Sequence, residues 1–223
     1  VTQYRDDGFL PEAMLNYLAR LGWSSGDQEI FSIAELVEKF SIAGINQSAA
    51  SFDLEKLLWV NQHYIQTMPI EQLCERVKPY FESAALDLDN GPSLEAAVEA
   101  QRERAKTLLD VVENSRMFYA EVTLDEKAAK KHLRPVVLEP LTKLREAFAS
   151  ENDWQGKNLH GIIENLAEEF EMNMGKIAQP LRVAITGSGA SPSIDVTLDL
   201  VGAERTLARL DKALEYIKKR AEA

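Results

Sequence analysis

The sequence is most informative first in what it lacks. Its single cysteine, Cys74, excludes an internal disulfide, and no Cys/His spacing fits a zinc site. No stretch approaches the roughly 18 consecutive apolar residues that a membrane-spanning helix needs. No positively charged leader precedes an apolar segment, so nothing marks the chain for export, and a cytoplasmic location is expected. Histidine is also scarce: His63, His132 and His160 stand far apart within helical patterns. They read as solvated or core-edge residues, and no nucleophile–base set is visible. Cys74 falls on the apolar side of its helix and reads as packed. The first residue is Val1 rather than Met, so a longer natural product is expected.

What is present is ordinary for a globular protein. The 223 residues, 45% hydrophobic and 27% charged, suffice for one or two domains with a real core. Twenty-five Lys and Arg against 36 Asp and Glu leave a net charge of −11. That charge is unevenly spread. Residues 101–145 hold ten basic residues and seven acids, a local balance of +3, so the remainder carries −14. Attraction to a polyanion depends on where cations cluster rather than on their total. Global acidity therefore weakens a nucleic-acid reading without excluding it.

The apolar pattern is overwhelmingly helical. In "LPEAMLNYLARLG", Pro11 suits a first turn, Met14, Leu15, Leu18 and Leu21 form an apolar face, and Gly22 is a stop. Ser32 and Glu35 have capping-box spacing. Asp53 caps "LEKLLWVNQHYI", with Leu54, Leu57, Leu58 and Ile65 as its apolar face. Pro69 restarts a helix carrying Leu73, Val77, Tyr80 and Phe81, and "DNGPS" breaks the pattern. A long helix is expected from about Leu94 to Phe118. Asp125 caps "EKAAKKHL", and Pro140 is expected to kink or divide the helix after Pro135. "NDWQGKNLHGIIENLAEEF" and "ERTLARLDKALEYIKK" read as the last helices. Only "RVAITG" and "SIDVTLDLV" are rich enough in β-branched residues to suggest strands.

Two features invite a functional reading. "TGSGASPS" (186–193) has the look of a phosphate loop, yet it lacks the Gly-x-x-x-x-Gly-Lys spacing and any following lysine. It also lacks Gly-x-Gly-x-x-Gly, and Pro192 removes an amide donor. The nucleotide-loop reading fails, and a polar interhelical turn remains. In "AQRERAKTLLDVV", Arg102, Glu103, Arg104 and Lys106 form either the solvated face of a helix or a set of phosphate and base-edge contacts. Pattern alone leaves both open.

"GKIAQPLRVAITGSGASPSIDVTLDLVGAERTLARLDKAL" resembles the end of bacterial glutamyl-tRNA synthetases, which are class I aminoacyl-tRNA synthetases. "VTQYRDDGFLPEAMLNYLARLGWSSGDQEIFS", "SFDLEKLLWVNQHYI" and "AKKHLRPV" resemble further blocks of that family, so the resemblance covers essentially the whole chain. The family's His-x-Gly-His signature and Lys-Met-Ser-Lys-like loop do not occur; "HGII" at His160–Ile163 has the wrong order. The chain thus looks like the carboxy-terminal, anticodon-binding half of such an enzyme, without its ATP and glutamate site and inactive as it stands.

The resemblance implies an all-α fold: a stem-contact region over 1–66, a first anticodon-binding subdomain over 67–131 and a second over 132–223. It pushes both β-branched segments towards helix. It implies that Arg104 reads the third anticodon base, as in relatives that discriminate tRNA(Glu) from tRNA(Gln). It further implies that Arg182 contacts the anticodon loop and that Ser191, Pro192 and Ile194 belong to a cradle for anticodon bases. Ser193 and Asp195 depart from a glycine and a phenylalanine of some relatives, which removes a stacking ring. Lysines near 127–131 add phosphate attraction without sequence information. The implied partner is tRNA(Glu), bound by a monomer away from any membrane. No metal or cofactor is expected on this chain, ATP and Mg2+ being expected for the parent's catalytic domain. The competing reading is a helical protein-interaction scaffold without RNA binding; an enzyme acting alone stands third.

Overall fold

The computed structural model describes residues 2–46 and 51–222. Val1, on which the expectation of a longer product rests, lies outside the described residues. Among those described there are thirteen α-helices, two short 3-10 helices and no strand, only an isolated bridge between Trp23 and Ile45. The all-α expectation holds. No helix among the described residues is long and apolar enough to cross a membrane.

The chain divides into two compact units, one of residues 1–85 with 101–115, the other of 86–100 with 116–223. The first contains α1 (Thr2–Asp6), α2 (Pro11–Gly22), α3 (Ile33–Lys39), α4 (Leu54–Thr67) and α5 (Ile70–Ser83). Pro11 opens α2, the Ser32–Glu35 capping box is formed, and the Asp53 carboxylate accepts the Lys56 amide at 3.1 Å. The buried side of α2 is not the apolar face read from the sequence. Ala13, Asn16 and Tyr17 are buried, whereas Leu15 and Leu18 are about half exposed (48% and 53%). Asn16 determines that orientation. Its Oδ1 accepts the Phe31 amide at 2.6 Å, and its Nδ2 donates to the Glu29 carbonyl at 2.9 Å, pinning the loop before α3. A buried amide bonded on both sides resists rotation of the helix as firmly as packing does. Tyr64 completes the network by donating to the Phe31 carbonyl at 2.5 Å, and burial pushes its hydroxyl up to about 12.

The expected single helix from Leu94 to Phe118 is two: α6 (Leu94–Arg102) and α7 (Leu108–Tyr119). The break is a capping box that the sequence reading missed. Asp110 accepts the Lys106 and Thr107 amides at 3.0 and 2.9 Å, and Thr107 Oγ1 accepts the Asp110 amide at 3.1 Å. Those bonds satisfy donors that a new helix start leaves open, so they favour a start over continuation. Leu108 then donates to the Gly8 carbonyl at 2.9 Å. Gly8 has φ +85°, and a Cβ there would lie 2.8 Å from the Leu109 nitrogen, so only glycine fits.

The second unit holds α8 (Glu126–His132), α9 (Leu138–Ser150), α10 (Gly156–Glu169), α11 (Gly175–Thr186), α12 (Ile194–Val201) and α13 (Ala203–Ala221). Asp125 caps α8 through the Ala128 amide at 2.7 Å. Pro140 neither kinks nor divides its helix. α9 starts at Leu138, directly after a 3-10 turn at Pro135–Val137, so Pro140 falls in a first turn whose amides have no intrahelical acceptor. The two β-branched segments are both helical, within α11 and α12. The 19-residue α13 buries Thr206, Arg209, Leu210, Ala213, Leu214 and Ile217 along one stripe, against α9, α11 and α12.

Candidate nucleic-acid interface

The residues singled out from the sequence fall at two places, one in each unit. The first is the link 103–107 between α6 and α7, which is bolted to α4 on both sides of Arg104. Before it, the buried Arg102 guanidinium donates to the Ile65 carbonyl (2.9 Å from Nη2) and to that of Met68, closing the carboxy-terminal end of α4. The Glu103 carbonyl accepts Gln62 and Gln66 side-chain amides at 3.2 and 3.1 Å. After it, Asn61 Nδ2 donates to the Lys106 carbonyl at 2.6 Å, while Asn61 Oδ1 accepts the Leu10 amide at 2.8 Å. Arg104 itself is exposed, and its own amide closes a turn on the Gln101 carbonyl at 3.0 Å. The side chain therefore projects from a backbone held at nearly every neighbouring position. The two readings of "RERAK" divide by residue: Arg102 is structural, and Arg104 is the one presented.

The second place is the turn from Gly187 to Ser193, between α11 and α12. Gly187 takes a left-handed conformation (φ +74°), and a Cβ there would lie 2.2 Å from the Thr123 carbonyl oxygen. The Gly187 carbonyl accepts the Asp125 amide at 2.7 Å, tying the turn to the start of α8. Thr186 Oγ1 accepts the Ser188 amide at 3.1 Å, and Gln179 donates to the Gly189 carbonyl at 2.8 Å. Arg182, half-buried, donates from Nη1 to the Ser191 carbonyl at 3.1 Å, to Ser191 Oγ and to the Pro192 carbonyl. Ser191 Oγ also lies 3.0 Å from Thr197 Oγ1, which donates to the Ser193 carbonyl at 2.9 Å. The structure thus brings Arg182, Ser191 and Pro192 into one clasp. Ile194 follows with its side chain buried beneath the turn, and Ser188, Ala190 and Ser193 are exposed on it. Arg104 belongs to the other unit.

A residue that sequence reasoning missed supports this turn. Arg209 of α13, only 3% exposed, donates to the Ile185 carbonyl at 2.8 Å and to those of Met117 and Ala120 at 2.9 Å. It closes the carboxy-terminal ends of α11 and α7 together. Burial pulls its guanidinium down to about 10, still far above neutrality, so it remains a cation and its attraction for carbonyls persists. Arg220 does the same for α8, donating to the Lys130 and Leu133 carbonyls at 2.8 and 3.1 Å. The only sequence signal for these roles is that each arginine interrupts or borders the apolar stripe of α13.

The basic belt is partly consumed. Lys130 pairs with Glu126 at 2.5 Å, Lys143 pairs with Glu169, and Arg145 pairs with Asp211 at 2.8 Å. Lys127, Lys131 and Arg134 are exposed. His132, beside Lys131 and Arg134, is held below its usual value by burial first and by those two cations second, which keeps it neutral near pH 7. Among the described residues, no group of three or more His, Cys, Asp or Glu side chains stands where it could hold a metal ion.

Helices, a presented guanidinium and a rigid polar turn define an all-α module that offers directed hydrogen-bonding groups. The chain belongs to the anticodon binding domain family, whose model matches residues 72–214. Residues 1–59 match the model of the class I tRNA synthetase (E and Q) catalytic domain. Among solved structures, the chain is similar to a glutamate tRNA ligase from Elizabethkingia meningosepticum CCUG26117 in complex with its amino acid. The TM-score is 0.85 and the identity 31%, over 96% of this chain and 43% of that one. It is similar also to the glutamate-tRNA synthetase from Elizabethkingia anophelis, with a TM-score of 0.80 and 31% identity over 95% of this chain and 42% of that one. The chain therefore spans less than half the length of these relatives. "RVAITG" and "SIDVTLDLV" are helical, as the resemblance to this family implied and as β-propensity did not.

Proposed function

We propose that this chain reads the anticodon of tRNA(Glu) as the carboxy-terminal part of a glutamyl-tRNA synthetase. In this reading the full-length parent joins glutamate to tRNA(Glu) during translation, with ATP and Mg2+ handled by its catalytic domain. Residues 1–66 meet the acceptor-stem side, and 67–131 and 132–223 the anticodon side. A cytoplasmic, monomeric protein goes with this role.

The observation that carries the proposal is the way Arg104 is held. A guanidinium discriminates between bases only if its position is fixed before the base arrives, since two hydrogen bonds to a base edge require a defined approach. The bonds to Glu103 and Lys106 supply that fixity while leaving the side chain outside. Arg104 would donate to the third anticodon base, unstacked and splayed as single-stranded readout requires. The Gly187–Ser193 turn would receive neighbouring bases on its exposed serine and alanine positions. Arg182 serves the RNA there by holding Ser191 and Pro192 in place. With Asp195 where some relatives carry an aromatic ring, this turn relies on hydrogen bonding more than on stacking.

Titration of tRNA(Glu) against the chain at several salt concentrations tests the reading. Tighter binding of tRNA(Glu) than of a tRNA with an unrelated anticodon, persisting as salt rises, is the expected result. Equal binding of both would end the anticodon assignment. A pull-down that returned proteins and no tRNA would favour a helical interaction scaffold instead.

A further inference from the structure

The turn formers that interrupt the helical pattern between α5 and α6 carry the only asparagine in the sequence that glycine follows, Asn90–Gly91. Both residues are exposed. Among the described residues, neither the Asn90 side-chain amide nor the Gly91 nitrogen has a protein hydrogen-bond partner. The main chain around them, in contrast, is tightly held within the second unit. The Asn90 carbonyl accepts Arg205 Nη2, and Arg205 Nη1 donates to the Phe118 carbonyl at 2.5 Å. The Tyr119 hydroxyl donates to the Pro92 carbonyl at 3.0 Å. Gly91 lies against the Tyr119 ring, so close that a Cβ would be 2.5 Å from Cδ1 and 2.9 Å from the Phe118 carbonyl oxygen. Packing therefore demands glycine at 91. That same lack of a side chain leaves the Gly91 nitrogen open to approach the Asn90 side chain.

We propose that Asn90 is a site of spontaneous deamidation whose isoaspartyl product lifts Gly91 and Pro92 off Tyr119. Asparagine is among the chemically labile side chains. The Gly91 nitrogen gives its proton to hydroxide and attacks Asn90 Cγ, forming a C–N bond. The Cγ–Nδ2 bond breaks, and Nδ2 leaves as ammonia with a proton taken from water. Water then opens the cyclic imide at one of its two carbonyls. Opening at Cγ leaves aspartate on an unaltered main chain. Opening at the main-chain carbonyl leaves isoaspartate: the chain now runs through Cβ and Cγ, one methylene longer, and the old carbonyl carbon becomes a carboxylate. That carboxylate takes the carbonyl's place at Arg205 as a stronger acceptor, so residue 90 stays anchored. The added length falls after residue 90, where Gly91 has no room against Tyr119. No oxidant, cofactor or RNA takes part.

Ser93 gives the readout. Its Oγ accepts the Ala96 amide at 3.2 Å and its carbonyl the Ala97 amide at 3.1 Å, which caps α6 just beyond Gly91. The chain is aged in mildly alkaline buffer, and the isoaspartyl form is separated by chromatography and located by peptide mapping. Deamidation is expected at Asn90 ahead of every other asparagine, faster as pH rises because the attacking nitrogen must shed its proton. Asn114, followed by Ser115 inside α7, is the internal comparison. In the isoaspartyl form, amide exchange at Ala96 and Ala97 should quicken about fivefold, the equivalent of one lost cap. Asn90→Asp, which adds the charge without the methylene, should leave that exchange as in the unaged chain. Asn90→Gln should suppress the aged species at this position. Deamidation no faster at Asn90 than at Asn114 overturns the proposal. So does an isoaspartyl form with unchanged exchange at Ala96, or an Asn90→Asp chain that exchanges as fast as the isoaspartyl one.

Discussion

The cluster around Glu29 in the first unit and the Gly187–Ser193 turn in the second are held by cations in different ways. In the first, Arg20 and Lys56 converge on Glu29 at 2.8 and 2.9 Å, and Arg76 pairs with Glu12 at 2.7 Å. In the second, Arg182 and Arg209 hold the turn and Arg220 the end of α8 by donating to backbone carbonyls. A carbonyl cannot titrate, and a helix carboxy terminus presents several unpaired acceptors with a negative dipole end. One guanidinium can therefore close two helices at once and hold them across a wide pH range. The comparison also separates charge from availability. Arg104 and Arg182 look alike in the sequence, yet the first is presented and the second is committed to its own turn.

The strongest way to break the comparison is Arg209→Met. It removes three donors from buried carbonyls, each loss costing about 1–3 kcal/mol, so a fall of roughly 3–5 kcal/mol in unfolding free energy is expected from urea denaturation. A loss under about 1 kcal/mol would show that the carbonyls find other partners and that the clasp is incidental. Arg182→Ala comes next. Losing a charged donor shared by Ser191 and Pro192 should cost about 1.5–3 kcal/mol and weaken binding of all tRNAs alike, because it loosens the turn. Selective loss for one anticodon would instead make Arg182 a direct reader. Arg104→Gln should leave stability within about 0.5 kcal/mol, since the side chain is exposed. In the full-length parent it should reduce discrimination at the third anticodon position by about 1–3 kcal/mol, roughly 5- to 150-fold. Unchanged relative kinetics on tRNA(Glu) and tRNA(Gln) would remove the specificity role.

Much of this fold was legible and the remainder was hidden for definite reasons. The caps at Ser32, Asp53 and Asp125 were read correctly because a cap is a local hydrogen bond between near neighbours. The Thr107–Asp110 box has the same locality but sits inside a run of good helix formers, whose propensity points to one helix where there are two. In α12 the buried residues Ile194, Thr197, Leu198 and Val201 have helical spacing, so the pattern was present beneath a β-branched composition. In α11 it was not, because Val183 to Thr186 are all buried and an unbroken buried run has no period to read. The orientation of α2 was inaccessible for a third reason. It depends on Asn16, a polar residue whose partners lie 13 to 48 positions away. The candidate site divides likewise: the resemblance named its residues, but which arginine is presented depends on long-range bonds to backbone carbonyls.

The smallest expected effect sharpens the comparison from its pH side. Hydrogen bonds from Arg20 first and Lys56 second hold the Glu29 carboxyl at about 2, against an ordinary value of 4.5. A depressed carboxylate stabilises the fold fully above its unfolded value, and that contribution disappears as pH falls from about 4.5 towards about 2. Glu29 is 37% exposed, so solvent screens the pair and the loss should stay below about 1 kcal/mol. Glu29→Gln should therefore flatten the acid limb of stability for the first unit, read by amide exchange in α2 and α4 between pH 5 and 3. The Gly187–Ser193 turn, closed on carbonyls, should keep its protection over the same range in both proteins. If the turn opened in step with α2, carboxylates would be holding it too, and the distinction between the two regions would fail.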